Sequence, residues 1–143
     1  MTEGDILKNI NSPADLSALS SEELQGLTQE IRAELLRVVL KTGGHLASNL
    51  GVVELTVALL KNFDPPADKI IWDTSHQAYT YKLLTGRKDL FEKLRQDDGC
   101  CGFLSREESE YDCFGAGHAG TAISAAAGMA AARDSQGGEE NII

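Results

Sequence analysis

The sequence predicts an α/β domain in which helices flank a mostly parallel sheet. Three observations carry that expectation. The elements run helix, helix, strand, helices, helix and incipient strand, an order suited to strands joined by helical crossovers. The run Lys69-Ile70-Ile71-Trp72-Asp73 is β-branched and aromatic, bounded by polar residues, and reads as a buried strand. The segment after Gly120 is rich in Ala and Gly, and a helix with such small sides packs closely against a sheet or another backbone. Only one complete strand is visible, so the sheet is expected to be incomplete in this chain.

Residues 1–20 read as a polar leader with a short helical turn near Ser12-Pro13-Ala14-Asp15. A helix is expected from Ser21 to Lys41. Ser20 and Glu23 have capping-box spacing, and Leu24, Leu27, Ile31, Leu35 and Val38 recur at helical intervals. Thr42-Gly43-Gly44 stops it. A second, more apolar helix runs from Val52 to Lys61 and breaks at Asp64-Pro65-Pro66. Shorter helices are expected over Gln77–Leu84 and Leu90–Gln96. Residues 97–114 show no period and read as a long loop whose acidic run Glu107–Glu110 faces solvent. The last helix is expected over Thr121–Arg133.

A length of 143 residues with 42% hydrophobic residues allows one domain with a real core. No apolar run approaches the roughly 20 residues that span a bilayer. The acidic start, Met1-Thr2-Glu3-Gly4-Asp5, lacks the apolar stretch of a secretory signal. A formal charge of -9 gives no footprint for nucleic acid. Cys100, Cys101 and Cys113 are odd in number and have no zinc-ligand spacing, which fits a reduced, cytoplasmic setting.

The chemistry concentrates at the three histidines. His45, His76 and His118 each sit at a junction between elements, beside residues too small to cover them. Imidazole transfers protons near neutral pH, and glycine-rich approaches to helices expose amides to anions. Three such junctions can converge on one polar, phosphate-bearing ligand, although each histidine alone also reads as a plain loop residue. Gly115, Gly117 and Gly120 match a dinucleotide-binding spacing, but the polar stretch before them is not the strand that motif needs. Ser48, Ser105, Ser124 and Cys113 lack the setting of a nucleophile elbow, and the Cys100–Cys101 pair reads as packing.

The stretch from Gly43-Gly44-His45-Leu46-Ala47-Ser48-Asn49-Leu50-Gly51 through Leu59 closely resembles the first motif of the 1-deoxy-D-xylulose-5-phosphate synthase family. So do Lys69–Asp73, His76-Gln77-Ala78-Tyr79, Leu83–Arg87, Gly102-Phe103, Glu108–Asp112 and Phe114–His118, in the same order. The resemblance runs from about residue 25 to the end. It implies a thiamine-diphosphate-dependent transferase that joins pyruvate to glyceraldehyde 3-phosphate with loss of CO2, in non-mevalonate isoprenoid synthesis. Residues 21–143 would then be the N-terminal portion of a thiamine-diphosphate-binding domain. By this resemblance His45 faces the substrate and assists proton movement, with Ser48 beside it. His76 and Gly117-His118-Ala119 match cofactor-contacting positions, and the helix after Gly120 points its N-terminus towards the diphosphate. A homodimer is implied as well.

The chain also departs from the family pattern. Ser75 stands where the family has Gly, Thr80-Tyr81 replace Pro-His, and Ala119-Gly120 replace two serines, which removes a hydroxyl near the cofactor. The family's Mg2+-binding motif would begin just after Ile143, so the chain is expected to be truncated or split before it and to hold no metal ligands. Alone it is expected to be inactive and prone to associate. The alternative is a non-catalytic homologue acting as an interaction or regulatory module, or one half of a split enzyme.

Overall fold

The computed structural model describes residues 6–143. The acidic start of the expected leader, residues 1–5, lies outside them. The elements are α1 (Ile6–Asn9), a 3-10 turn over Pro13–Ala18, α2 (Ser21–Thr42), α3 (Ala47–Leu50), α4 (Val53–Asn62), α5 (Tyr79–Leu84), α6 (Lys88–Phe91) and α7 (Ala122–Gln136).

The spine is α2. Ser20 and Glu23 close its N-terminus reciprocally, with the Glu23 amide donating to Ser20 Oγ and the Ser20 amide donating to Glu23 Oε2 at 2.9 Å. Leu27, Ile31, Leu35, Val38 and Val39 form its buried stripe. The helix ends at Gly43, whose φ of 79° admits no other residue without strain. Against the stripe lie α4, through Val53, Val57 and Leu60, and α5, of which all six residues are buried. The helices expected over 21–41 and 52–61 therefore stand, each within a residue or two of its expected ends.

Residues 6–19 are not peripheral to this core. Ile6, Leu7, Ile10 and Leu16 are buried in the same cluster as Leu27 and Leu35. Glu30 accepts the Ile6 and Leu7 amides from α2, and Lys61 Nζ donates to the Leu16 and Leu19 carbonyls from α4. Polar side chains of the main body thus satisfy the backbone ends of the leader's short helices.

The sheet is where expectation and structure part. No strand forms among the described residues. The expected strand is extended, with Ile70 and Trp72 buried, and it makes one parallel bridge between Lys69 and Ile142. Lys69 donates to the Asn141 carbonyl, Ile143 to that of Lys69, and Ile71 to that of Ile143, at 2.8–2.9 Å. Parallel pairing needs a long crossover between partners; here it runs from residue 72 to 140 and delivers a single neighbour. Two shorter helices also differ. The one expected over Gln77–Leu84 begins at Tyr79, and that expected over Leu90–Gln96 is a single turn at Lys88–Phe91 followed by turns.

Helix α7 buries none of its residues and leaves Ile123 84% exposed, so the surface its small side chains offer for close packing is uncovered among the described residues. It stands on local terms instead. Alanine has the best helix propensity, Asp73 caps one end, and Gly137 closes the other in the left-handed conformation.

Of the acidic run, Glu107 and Glu110 are exposed as expected, and Glu108 alone departs from the solvated role. Glu108 pairs with the fully buried Lys82 and with Arg87, and Arg87 reaches Asp112 at 2.8 Å. Asp112 in turn accepts the Ser105 amide at 2.9 Å, and Glu108 accepts that of Cys101 at 2.7 Å. These contacts, with the Tyr81 hydroxyl donating to the Tyr111 carbonyl at 2.9 Å, hold residues 97–114 in place without helix or strand. Removing one partner of a buried ion pair strands the other's charge, at a cost of about 3 kcal/mol. Glu108→Gln is therefore expected to lower unfolding stability by about that amount in urea titration. The double variant Lys82→Met/Glu108→Gln should recover part of the loss, and a double variant no better than the single would refute the stranded-charge account.

Candidate functional site

The site is built at two junctions that the core brings together. Gly43-Gly44 ends α2 and turns the chain towards α3, which places His45 at the corner. Thr74 and Ser75 leave the bridged segment in the left-handed region, with φ of 60° and 67°, and turn His76 towards that corner. The His45 and His76 rings meet edge to face with centroids 5.1 Å apart. Phe103 lies 5.8 Å from the His45 ring and Tyr79 6.5 Å from it.

The buried Asn49 side chain holds the two junctions together. Its Nδ2 donates to the carbonyls of His45 at 2.5 Å and His76 at 2.8 Å, and its Oδ1 accepts the Tyr79 amide at 2.8 Å. No site role follows for Asn49 from its place in the sequence, although a fully buried amide between apolar neighbours is a sign of structural duty. Tyr79 was likewise part of a motif without a role of its own.

Of the expected site residues, His45 and His76 converge. Ser48 lies on α3 and makes no hydrogen bond to either imidazole among the described residues. His118 is exposed and makes no ring contact with the pair. Its loop is nonetheless tied to theirs. The Ser75 hydroxyl donates to the Ala116 carbonyl at 3.2 Å and accepts the Leu104 amide at 2.9 Å, which links the approach to His76 with Phe103's neighbour and with the Gly117-His118-Ala119 turn. Around Gly117 and Gly120 there is open space, with nothing within 4 Å of where a Cβ would stand.

The electrostatics suit a neutral imidazole. Burial, then the nearby His76 and Arg95, hold the His45 pKa below its ordinary value. Burial pushes the Cys100 thiol up to about 11 and raises Cys113, so neither is a ready nucleophile. His76 Nδ1 is buried and makes no hydrogen bond among the described residues. No group of three or more His, Cys, Asp or Glu among the described residues could hold a metal ion.

The N-terminus of α7, expected to face a diphosphate, already meets an anion. Asp73 accepts the Gly120, Thr121 and Ala122 amides at 2.9–3.2 Å. These bonds, that of Gly120 first, hold its carboxyl below the usual aspartate range. A depressed pKa gives stability that is complete above the unfolded value, about 3.9, and is lost as pH falls through the folded one. Hydrogen-exchange protection of amides 120–122 should accordingly hold down to that pH and fall below it; protection unchanged through acidification would contradict the cap.

Ser75 gives a second expectation. Ser75→Ala keeps the left-handed backbone and orphans the buried Leu104 amide, costing about 1–3 kcal/mol. Ser75→Gly loses the same bonds but releases strain of about 1–3 kcal/mol. Denaturant titration should rank wild type or the Gly variant above the Ala variant; a Gly variant less stable than the Ala variant would overturn this.

Comparison with known proteins gives the family. The family described as 1-deoxy-D-xylulose-5-phosphate synthase matches residues 7–143. A 1-deoxy-D-xylulose-5-phosphate synthase of Methylacidiphilum infernorum is 60% identical over 138 residues, which are 96% of this chain and 22% of that protein. One from Acidobacterium capsulatum is 54% identical over 140 residues, 98% of this chain and 22% of the relative. A chloroplastic relative from Oryza sativa subsp. japonica is 53% identical over 138 residues, 96% of this chain and 19% of its own. The chain thus spans about a fifth of the length of these relatives, and no described helix is long and apolar enough to cross a membrane. With a match across nearly its whole length, the chain belongs to the 1-deoxy-D-xylulose-5-phosphate synthase family and corresponds to its N-terminal part.

Proposed function

We propose that this chain is the part of a thiamine-diphosphate-dependent synthase that joins pyruvate to glyceraldehyde 3-phosphate with loss of CO2. The observation that carries the reading is the pairing of His45 with His76, an imidazole kept neutral beside one whose buried Nδ1 makes no hydrogen bond among the described residues. A neutral imidazole keeps one N–H to offer an oxygen on which negative charge develops and one bare nitrogen as an acceptor, so it can support proton movement at a substrate without itself carrying charge.

The residues fit the cofactor in part. His76, with the open Gly117-His118-Ala119 turn tied to it through Ser75, would hold thiamine diphosphate by hydrogen bonds. The oxygen ligands for Mg2+ would come from outside these residues. The bound cofactor supplies the carbanion chemistry that releases CO2. His45 exchanges a proton at the substrate's carbonyl oxygen, and Ser48 on the neighbouring turn orients the substrate. Phe103 and Tyr79 flank the imidazole. Completion of the parallel sheet, from the Lys69–Ile142 bridge outward, belongs to the same reading, as do a homodimer and a cytoplasmic setting.

The test is pyruvate-dependent CO2 release in a full-length protein carrying this sequence, with glyceraldehyde 3-phosphate, thiamine diphosphate and Mg2+ supplied. His45→Ala should lower kcat by roughly 10²–10⁴-fold, the span of a proton-transfer group. The 143-residue chain alone should release no CO2 above its own His45→Ala control. The acid limb of the full-length profile should fall below the ordinary histidine pKa of about 6.5. Unchanged turnover in His45→Ala would sink the proposal.

A further inference from the structure

Tyr79 makes contacts that neither packing nor the proposed reaction explains. Its ring is fully buried, edge to face with Phe91 at 5.7 Å, yet its hydroxyl is carried to the corner where His45 sits. The oxygen lies 3.3 Å from the His45 amide nitrogen and 3.4 Å from His45 Nδ1. The approach needs the glycine before the histidine, because a Cβ on Gly44 would stand 2.9 Å from the Tyr79 hydroxyl oxygen. Asn49 fixes the other end by accepting the Tyr79 amide and donating to the His45 carbonyl. Residue 79 is thus held to residue 45 at three places.

The direction of the hydrogen bonds follows from what each group can do. A backbone N–H only donates, so the His45 amide takes up a lone pair of the Tyr79 oxygen. The hydroxyl keeps its own hydrogen, since burial raises the Tyr79 pKa and keeps it protonated. Among the described residues the acceptor in reach of that hydrogen is His45 Nδ1. The opposite tautomer would aim two donors at one oxygen and leave the hydroxyl hydrogen buried without an acceptor.

We propose that Tyr79 is a positioning residue: its hydroxyl donates to Nδ1 of His45 and so fixes the proton of the neutral imidazole on Nε2, the nitrogen left to serve a substrate. This rests on the proton-transfer role proposed for His45 and adds the device that sets its tautomer. A hydrogen bond to one ring nitrogen commonly decides the state of the other. His76 and Phe103, packed against the remaining sides of the ring, hold its plane.

The tautomer can be read directly and without a variant. Long-range ¹H–¹⁵N spectra of the ¹⁵N-labelled chain above the His45 pKa should show one His45 form, protonated on Nε2 with an unprotonated, hydrogen-bonded Nδ1. In Tyr79→Phe, which keeps the ring, the Nδ1 resonance should move to that of a free imidazole nitrogen and an Nδ1-protonated form should appear. A wild-type His45 protonated on Nδ1 overturns the proposal, as do imidazole shifts identical in the two proteins. In a full-length protein, Tyr79→Phe should lower kcat on the order of tenfold and KM by less than twofold, a smaller loss than removal of the proton-transfer group itself. An unchanged kcat alongside an altered tautomer overturns the positioning role. Turnover indifferent to His45→Ala overturns the proton-transfer reading instead, while the spectra still decide the tautomer.

Discussion

The carboxamide of Asn49 is the constraint on which the site depends. A primary amide offers two donors and an acceptor, and here all three are spent on backbone groups of different segments. These bonds tie the His45 corner, the His76 turn and the first residue of α5 at one place. An uncharged side chain suits the task, because a buried carboxylate would need a counter-charge and would disturb the neighbouring imidazoles. Because Asn49 is fully buried, the bonds form in a setting where water does not compete. The pairing of His45 with His76 is therefore a property of the core, not of two loops that happen to lie near each other.

A second polar system does for the long loop what Asn49 does for the histidines. Lys82 and Arg87 are buried cations on and beside α5, and Glu108 and Asp112 come to them from the loop. Each carboxylate also accepts a loop amide, so the charges organise backbone as well as one another. The loop in turn carries Phe103 to the His45 ring and Ala116 to the Ser75 hydroxyl. Helix α5 is thus the common anchor, holding Tyr79 at one end and the cationic pair at the other.

The parts of the fold legible in the sequence are those set by local period and capping. Ser20 with Glu23, the stripe from Leu27 to Val38, and Gly43 announce α2 because every term of that helix lies within a few residues. The histidines were legible as a set because each stands beside small residues at a junction. Asn49's ties to His76 and Tyr79, Asp73's to α7 and the Lys82–Glu108 pair were not, since those partners lie 26 to 49 residues away and leave no period. A run of acids looks the same from the sequence whether it faces water or buried lysine. The expected strand at 69–73 shortens to a single bridge for a related reason: β-type residues predict extension, but pairing depends on which other segments are at hand.

The capping of α7 bears on how a phosphorylated ligand can be held here. A helix N-terminus attracts anions through its free amides and its dipole. In this chain Asp73 already satisfies the amides of residues 120–122, and a carboxylate at that point repels a second anion. On the proposed reading, a diphosphate near the Gly117-His118-Ala119 turn would draw on side chains, and on a cation to offset Asp73, more than on the helix end. Two serines in the family pattern at 119 and 120 would add hydroxyls to that turn, whereas Ala119 and Gly120 add none. On the proposed reading the burden would shift to His76 and His118, whose junctions Asn49 and Ser75 hold in register.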